Sequence, residues 1–236
     1  RMIYWLFCGE LRKTRNGNMG RNYRLVVFDW DGTLLDSAGA IVACIQAAAF
    51  DLGLPPPDDK TARQVIGLGL HDALSQALPG VPSGEYQAVA ERYRHHYLSR
   101  DHELALFAGA HELVEELYAA GCLLGVATGK SRLGLNRALE ASGLKRYFHA
   151  TRCADECSSK PAPDMLLEIM DELGASPKHT LMIGDTTHDL RMAKNAGVGA
   201  LAVGYGAHPR EALEAEQPLG LFDEFTELTA WLRRHG

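Results

Sequence analysis

The chain has 236 residues, of which 46% are hydrophobic and 23% charged, and its formal net charge is −6. These proportions are those of an ordinary globular protein and argue against a disordered or fibrous chain. The negative charge disfavours nucleic-acid binding, which depends on neutralising phosphates. No apolar run approaches the roughly 20 residues of a membrane span, so we expect a soluble protein with neither a nucleic-acid nor a membrane partner.

Two features of the sequence indicate a cytoplasmic protein. Residues 1–18 form an N-terminal extension in which basic residues follow an apolar stretch, the reverse of the order in a secretory signal. We therefore expect a functional start at Met19 and no contribution of the extension to activity. The five cysteines are odd in number and lack a C-x-x-C pair, so Cys153 and Cys157 are expected to be ordinary thiols of a reducing compartment.

From Leu25 onward, short apolar runs alternate with segments of helical periodicity. The runs are short enough to be strands buried on both faces, and glycines follow the helical segments where helix ends are expected. This alternation predicts a doubly wound α/β domain with a parallel sheet. The predicted strands are Leu25–Phe28, Leu123–Ala127, Thr180–Ile183 and Ala200–Val203, with Tyr147–Thr151 as a weaker fifth.

One region interrupts this alternation, because residues 37–104 show helical periods without a buried strand. We therefore predict a small α-helical domain at 37–104, inserted into a core formed by residues 19–36 and 105–236. Its connections to the core are expected near Asp36 and near Phe107–Gly109. Two sets of residues share a helix face: Ile41, Cys44, Ile45, Ala48 and Leu52, and then Tyr86, Val89, Ala90, Tyr93 and Tyr97.

The first predicted strand runs directly into two carboxylates. Asp29 and Asp31 are two residues apart, so an extended chain points both the same way and Trp30 the opposite way. Such pairs also occur in surface turns, but Asp185 and Asp189 follow a later strand in the same manner. Because ligands bind beyond the carboxyl ends of parallel strands, these residues should meet in one crevice. Their mutual repulsion requires a hard divalent cation, and oxygen donors favour Mg²⁺.

Two further segments complete the predicted site. Thr128 and Gly129 follow the second strand, and Lys160 lies in a Ser-Lys-Pro-Ala-Pro segment. A surface lysine is the simpler interpretation of Lys160. Beside a carboxylate crevice, however, a fixed ammonium would hold an anionic group, and the Thr128 hydroxyl with its neighbouring amides would donate hydrogen bonds to it. This combination indicates phosphoryl transfer with Asp29 as the nucleophile.

The chain contains four motifs in this order: DxDGTLxDS, a strand-end Thr, KPxP and GDxxxD. With these motifs it resembles the haloacid dehalogenase-like superfamily from about Leu25 to Trp231. The helical insert resembles the cap of phosphoglycolate phosphatase-like members. The resemblance implies that Asp29 attacks phosphorus and that Asp31 protonates the leaving group and then activates water. It also implies Mg²⁺ ligands (Asp29, the Asp31 carbonyl and Asp185), a supporting Asp189, and phosphate-binding residues (Thr128, Gly129 and Lys160).

Other residues have alternative interpretations. Trp30 stands where the family commonly has Phe or Leu, and we expect its side chain in the core. Arg63, near Gly67 and Gly69 in the cap, is either a contact to a substrate carboxylate or an ordinary surface arginine. His188 lies within the metal motif, where a supporting or solvent-facing role is expected because carboxylates already supply the ligands.

The sequence therefore predicts a Mg²⁺-dependent phosphatase that hydrolyses a small phosphorylated metabolite, with a phosphoglycolate-like ester suggested by the resemblance. The reaction would pass through an aspartyl-phosphate. Asp31 disfavours a dehalogenase, because halide departure needs no proton. A phosphosugar mutase of the same superfamily and a non-catalytic phospholigand-binding protein stay open as alternatives. The natural ester and the oligomeric state are not determined by the sequence.

Overall fold

The computed structural model describes residues 22–235, so the expectations for residues 1–18 and for Met19 lie outside the described residues. Within this range, no helix is both long and apolar enough to cross a membrane. The strands are β1 (Leu25–Phe28), β2 (Leu123–Thr128), β3 (Ala150–Cys153), β4 (Thr180–Gly184), β5 (Gly199–Val203) and β6 (Gly220–Phe222). The helices are α1 (Ala38–Asp51), α2 (Asp59–Gln64), α3 (Leu70–Ala77), α4 (Tyr86–Arg100), α5 (Ala110–Ala119), α6 (Arg132–Ala141), α7 (Asp164–Leu173), α8 (Thr187–Asn195), α9 (Arg210–Ala215) and α10 (Phe225–His235).

The six strands form one parallel sheet in the order β3-β2-β1-β4-β5-β6. Strand β1 lies between β2 and β4, with Val26 opposite both Leu124 and Leu181. The chain moves outward from β1 in one direction and then returns to build the other half of the sheet. Such a reversal opens a crevice at the carboxyl ends of the central strands, which here are β1, β2 and β4.

Helices cover both faces of the sheet, and β1 shows how its sequence achieves this. Val26 and Phe28 pack into the cluster that contains residues of α5, α6 and α10, whereas Leu25 and Val27 pack into the cluster with α7 and α8. All four side chains are fully buried, as expected for a continuous apolar run in a sheet covered on both sides. Trp30 is also buried, in edge-to-face contact with Phe148, so its expected place in the core is confirmed.

The predicted doubly wound α/β core with an α-helical cap is confirmed, although some predicted boundaries were wrong. Strand β3 begins at Ala150, because Lys145–Tyr147 form a 3-10 turn before it. Leu52 lies just after α1 and is exposed instead of sharing the buried helix face. Strand β6 was not predicted at all.

Helices α1 to α4 enclose an apolar cluster of their own, which includes Ile45, Leu74 and Val89. The two chain segments that join this cap to the core lie side by side. The Asp36 amide donates to the Ala105 carbonyl at 3.0 Å, and the Phe107 amide donates to the Leu34 carbonyl at 2.9 Å. The cap is therefore held above the crevice by a paired two-segment connection.

Candidate active site

Asp29 follows β1 and is the most deeply placed carboxylate of the site. Its amide extends the sheet by donating to the Ile183 carbonyl at 2.9 Å. Its Oδ1 accepts hydrogen bonds from the Trp30 amide at 2.7 Å and pairs with Lys160 Nζ at 2.9 Å. Its Oδ2 is buried and has no hydrogen-bond partner among the described residues. Because an unpaired buried oxygen is costly, Oδ2 is the atom of Asp29 that is available to a metal ion or to phosphorus.

Lys160 connects this carboxylate to Asp189. Its Nζ lies 2.6 Å from Asp189 Oδ1, and its side chain is fully buried. Asp189 Oδ2 accepts from the Thr186 hydroxyl at 2.6 Å and from the Thr186 amide at 3.2 Å, which caps the start of α8. Both oxygens of Asp189 are thus engaged by protein donors. This arrangement favours a supporting role for Asp189, which fixes Lys160 beside Asp29.

Asp185 is held between the β1 and β5 loops. The Thr33 hydroxyl donates to Oδ1 at 3.0 Å, and the Ala207 amide donates to Oδ2 at 2.7 Å. Two glycines make room for it, since a Cβ on Gly32 would lie 2.2 Å from Asp185 Oδ2 and one on Gly206 would lie 2.3 Å from the same atom. Thr33, Gly206 and Ala207 are not predicted from the sequence as site residues. Of the three, only Thr33 has a local signal, because it belongs to the first motif.

The charges at this site do not balance without a cation. Ligand oxygens of Asp29, Asp185 and Asp189 all lie within 4.8 Å of one another, and Lys160 is the ammonium beside them. Burial raises the pKa of Asp29, against the effect of Lys160, and burial and the neighbouring Asp189 raise the pKa of Asp185 to about 7. Burial alone would lower the pKa of Lys160, but Asp189 and Asp29 outweigh it, so the ammonium stays charged. An all-oxygen donor set with excess negative charge fits a hard divalent cation such as Mg²⁺.

Asp31 belongs to a second network that reaches the cap. Its Oδ1 accepts from the Ser37 hydroxyl at 2.6 Å and lies 3.0 Å from Lys130 Nζ. The same ammonium donates to Tyr97 Oη of α4 at 2.8 Å and lies over the ring of that tyrosine. Lys130 is not predicted from the sequence as a site residue, although it directly follows Thr128-Gly129. The side chain of Asp31 is therefore tied to the cap through one lysine.

The cap loop that contains Gly67 and Gly69 rests on the core. A Cβ on Gly129 would lie 2.4 Å from the Leu68 carbonyl oxygen, so only glycine allows this approach. The Gly69 amide donates to Ser159 Oγ at 2.9 Å. Together these contacts place the cap loop on the segments that follow β2 and β3.

The predicted site residues divide into three groups by their position. Asp185, Asp189 and Lys160 lie beneath the cavity, among the groups described above. Arg63 does not line the cavity and belongs to the last turn of α2. The predicted residues that line one cavity of about 580 Å³ between cap and core are Asp29, Asp31, Thr128, Gly129, Gly67 and Gly69.

His188 points away from the carboxylates and toward the cap. Its Nε2 lies 2.8 Å from the Gln64 carbonyl, and His208 Nε2 lies 3.2 Å from the same oxygen. The Thr187 amide donates to His208 Nδ1, so the neutral His208 ring carries its proton on Nε2 and donates to Gln64. Burial lowers the pKa of His188 and lowers that of His208 to about 4. Both rings therefore serve as neutral donors that join the core to the end of α2.

Comparison with known proteins identifies the class to which this fold and site belong. The family profile of haloacid dehalogenase-like hydrolases matches residues 26–203, and the chain belongs to that family. It is 38% identical over 210 residues to the probable phosphatase IndB of Dickeya dadantii, covering 86% of this chain and 91% of that protein. It is 28% identical over 234 residues to a phosphoglycolate phosphatase of Salmonella paratyphi A, covering 89% of this chain and 93% of that protein.

A solved structure is similar as well. The crystal structure of a predicted phosphoglycolate phosphatase from Haemophilus somnus aligns with a TM-score of 0.78 at 25% identity, covering 89% of this chain and 98% of the other. The resemblance to the phosphoglycolate phosphatase-like subgroup is thereby confirmed.

Proposed function

We propose that this protein is a Mg²⁺-dependent phosphatase of the cytoplasm that hydrolyses a small phosphorylated metabolite through an aspartyl-phosphate on Asp29. One observation carries the proposal. Asp29 Oδ2 is buried without a hydrogen-bond partner among the described residues, and Asp29 and Asp31 line the same cavity. The names of the matched relatives, a probable phosphatase and a phosphoglycolate phosphatase, support the same reaction class.

In the first half-reaction, Asp29 Oδ2 attacks phosphorus and the bond from phosphorus to the ester oxygen breaks. Lys160 and the Trp30 amide hold Oδ1, which leaves Oδ2 oriented for attack. Thr128 and Gly129 line the cavity beside Asp29 and are assigned as donors to the phosphoryl oxygens. Asp31 donates its proton to the departing alkoxide.

In the second half-reaction, Asp31 acts as a base. It takes a proton from a water molecule that attacks phosphorus, so that inorganic phosphate leaves and the Asp29 carboxylate is regenerated. The contacts from Ser37 and Lys130 hold Asp31 Oδ1 in place through both steps. Asp31 thereby supplies the acid of one step and the base of the next.

The metal assignment combines the donor set with the family resemblance. The buried carboxylates of Asp29 and Asp185 would hold Mg²⁺. The resemblance adds the backbone carbonyl of Asp31 as a ligand and Asp189 as the support of Lys160. When bound, the ion would offset the negative charge of the phosphoryl oxygens next to these carboxylates. The excess of carboxylates over ammonium groups supports this assignment.

The proposal is tested by measuring phosphate release from a panel of small phosphorylated metabolites with Mg²⁺, with 2-phosphoglycolate included. Release of inorganic phosphate from at least one ester supports the proposal. A phosphosugar mutase would instead convert a hexose phosphate to its isomer without net phosphate release. A phospholigand-binding protein would turn over none of the panel, and either result would contradict the proposed function.

A further inference from the structure

The cavity that opens onto Asp29 and Asp31 is much larger than a phosphoryl group. Its volume of about 580 Å³ falls within the range that accommodates a drug-sized ligand. Both the cap and the core contribute apolar side chains to its walls. These include Ile41, Ile45, Leu70, Tyr93, Leu98 and Leu133.

Two of the basic side chains in this cavity already have acidic partners. Lys130 pairs with Asp31 at 3.0 Å, and Arg137 pairs with Asp101 at 2.6 Å. The carboxylate of 2-phosphoglycolate is separated from the ester oxygen by a single methylene, so it would lie close to Asp31 and compete with it for Lys130. Lys130 also donates to Tyr97 Oη at 2.8 Å, so a second negative charge on the substrate would have to displace one of these two contacts.

The outer part of the cavity is no better suited to an anion. Arg94 is solvent-exposed, and the carboxylates of Asp72 and Asp155 line the same cavity. A substrate charge at this position would be screened by water and opposed by these acidic groups. The charges of the lining thus favour an uncharged group beyond the phosphate.

Two apolar side chains of the lining are exposed to solvent. Leu98 of α4 is 50% exposed and Leu133 of α6 is 76% exposed, one on the cap and one on the core. Tyr93 and Tyr97 stack with their ring centroids 5.9 Å apart, next to Lys130. A ligand with an apolar body would cover these surfaces and gain the free energy of their removal from water.

We infer that the substrate is a phosphomonoester whose alcohol part is an uncharged apolar body, aliphatic or aromatic, and larger than two carbons. The inference rests on the proposed function, because it assigns the leaving group of that reaction to the apolar part of the cavity. Each methylene that the cavity removes from water should raise kcat/KM about threefold to fourfold, until the cavity is filled.

The test is a series of n-alkyl phosphates from ethyl to hexyl, assayed with Mg²⁺ beside benzyl phosphate and 2-phosphoglycolate. The n-alcohols are similarly acidic, so differences within the series report binding of the alkyl group. We expect kcat/KM to rise along the series, and benzyl phosphate to exceed 2-phosphoglycolate by about tenfold or more. A flat series, or 2-phosphoglycolate as the best substrate, would overturn the inference while leaving the proposed function in place.

Two variants show whether the cavity causes the trend. Leu133→Ser removes an apolar lining group, and we expect it to lower the hexyl-to-ethyl ratio of kcat/KM about threefold or more. Leu167→Ser is the matched control, because Leu167 is an exposed leucine of α7 outside the cavity, and the ratio should not change. Equal effects of the two substitutions would contradict the inference.

A binding measurement separates failure of the inference from failure of the proposed function. Ethylphosphonate and n-hexylphosphonate, which lack a scissile ester bond, are titrated calorimetrically into the wild-type protein with Mg²⁺. Tighter binding of the hexyl compound supports the inference, whether or not the protein hydrolyses an ester. If the hexyl compound binds more tightly but no ester is hydrolysed, the proposed function alone is refuted. Equal binding of the two compounds would refute the inference alone.

Discussion

The two oxygens of Asp29 differ in their surroundings, and the roles proposed for them rest on that difference. Oδ1 is held by Lys160 and by the Trp30 amide, whereas Oδ2 has no hydrogen-bond partner among the described residues. We expect Asn at this position to preserve the shape of the side chain and to remove the nucleophile. Turnover should fall by about a thousandfold or more.

The Asp29→Asn protein should stay folded, because Lys160 keeps its contact with Asp189. Its thermal unfolding, followed by circular dichroism, should lie within a few degrees of the wild-type transition, at roughly 2 to 4 °C per kcal/mol for a chain of this size. Retention of more than a few per cent of activity would show that Asp29 is not the nucleophile.

Lys130 links the acid-base candidate Asp31 to Tyr97 of the cap. Replacing Lys130 with Met leaves Asp31 Oδ1 with the Ser37 hydroxyl as its one partner among residues 22–235. Because only a poor leaving group needs protonation, we expect kcat to fall about tenfold for an alkyl phosphate and much less for acetyl phosphate.

Lys145→Met is the control for this variant, since Lys145 pairs with Glu140 at the surface. It should leave both rates unchanged. Equal losses with the two substrates for Lys130→Met would indicate a general structural effect and would contradict a role in positioning Asp31.

At the scale of secondary structure, the close approach of cap and core depends on one glycine. A Cβ at position 129 would lie 2.4 Å from the Leu68 carbonyl oxygen. In Gly129→Ala the cap loop must therefore shift away from the crevice, and we expect kcat/KM to fall about tenfold. Steady-state kinetics with any accepted ester measures the loss.

Gly39→Ala provides the contrast, because Gly39 lies in α1 and, beyond its own helix, no atom of the described residues lies within 4 Å of an added Cβ. Alanine is the better helix former by about 1 kcal/mol, so this variant should keep its activity and unfold at a slightly higher temperature. Unchanged activity of Gly129→Ala would show that the cap loop need not rest on the core.

The elements that could be predicted from the sequence are those with long apolar runs or clear helical periods. Strand β1 and its carboxylates are local features, and so are the helix faces of the cap. Strand β6 was missed because it has only three residues, begins with Gly220 and is half-buried along its length. Strand β3 was misplaced because Tyr147 is apolar but belongs to a 3-10 turn.

The site shows the same distinction between local and distant contacts. The motif carboxylates and Lys160 are recognisable by type and spacing. The Ala207 amide that holds Asp185 has no side-chain signal, since any residue supplies a backbone N–H. The contact between Asp31 and Lys130 joins positions 99 apart in the chain, and only the fold brings them together.

For the molecule as a whole, the cap and the core have separate apolar clusters, and the cavity lies between them. The buried carboxylates beneath it repel one another, so a bound divalent cation should stabilise the folded protein. At a concentration of about one hundred times its Kd, Mg²⁺ should increase the free energy of unfolding by about 2.7 kcal/mol. The Tm should then rise by roughly 5 to 10 °C. Chelation with EDTA should abolish activity, and Mg²⁺ should restore it.

Asp185→Asn should lose this thermal shift, because it removes a carboxylate of the cluster. Asp171→Asn, at an exposed position of α7, should keep it. Full activity after exhaustive chelation, or an equal thermal shift in both variants, would refute the metal assignment.

The central claim is that Asp31 serves as acid and then as base around a phosphorylated Asp29. The Asp31→Asn protein should still be phosphorylated by acetyl phosphate, whose leaving group needs little protonation, but its phosphoenzyme should persist because hydrolysis lacks a base. Rapid-quench intact-mass analysis with acetyl phosphate and Mg²⁺ should therefore show one added phosphoryl group, located at Asp29. A phosphoenzyme that decays as fast as in the wild-type protein, or a phosphoryl group on another residue, would contradict the account.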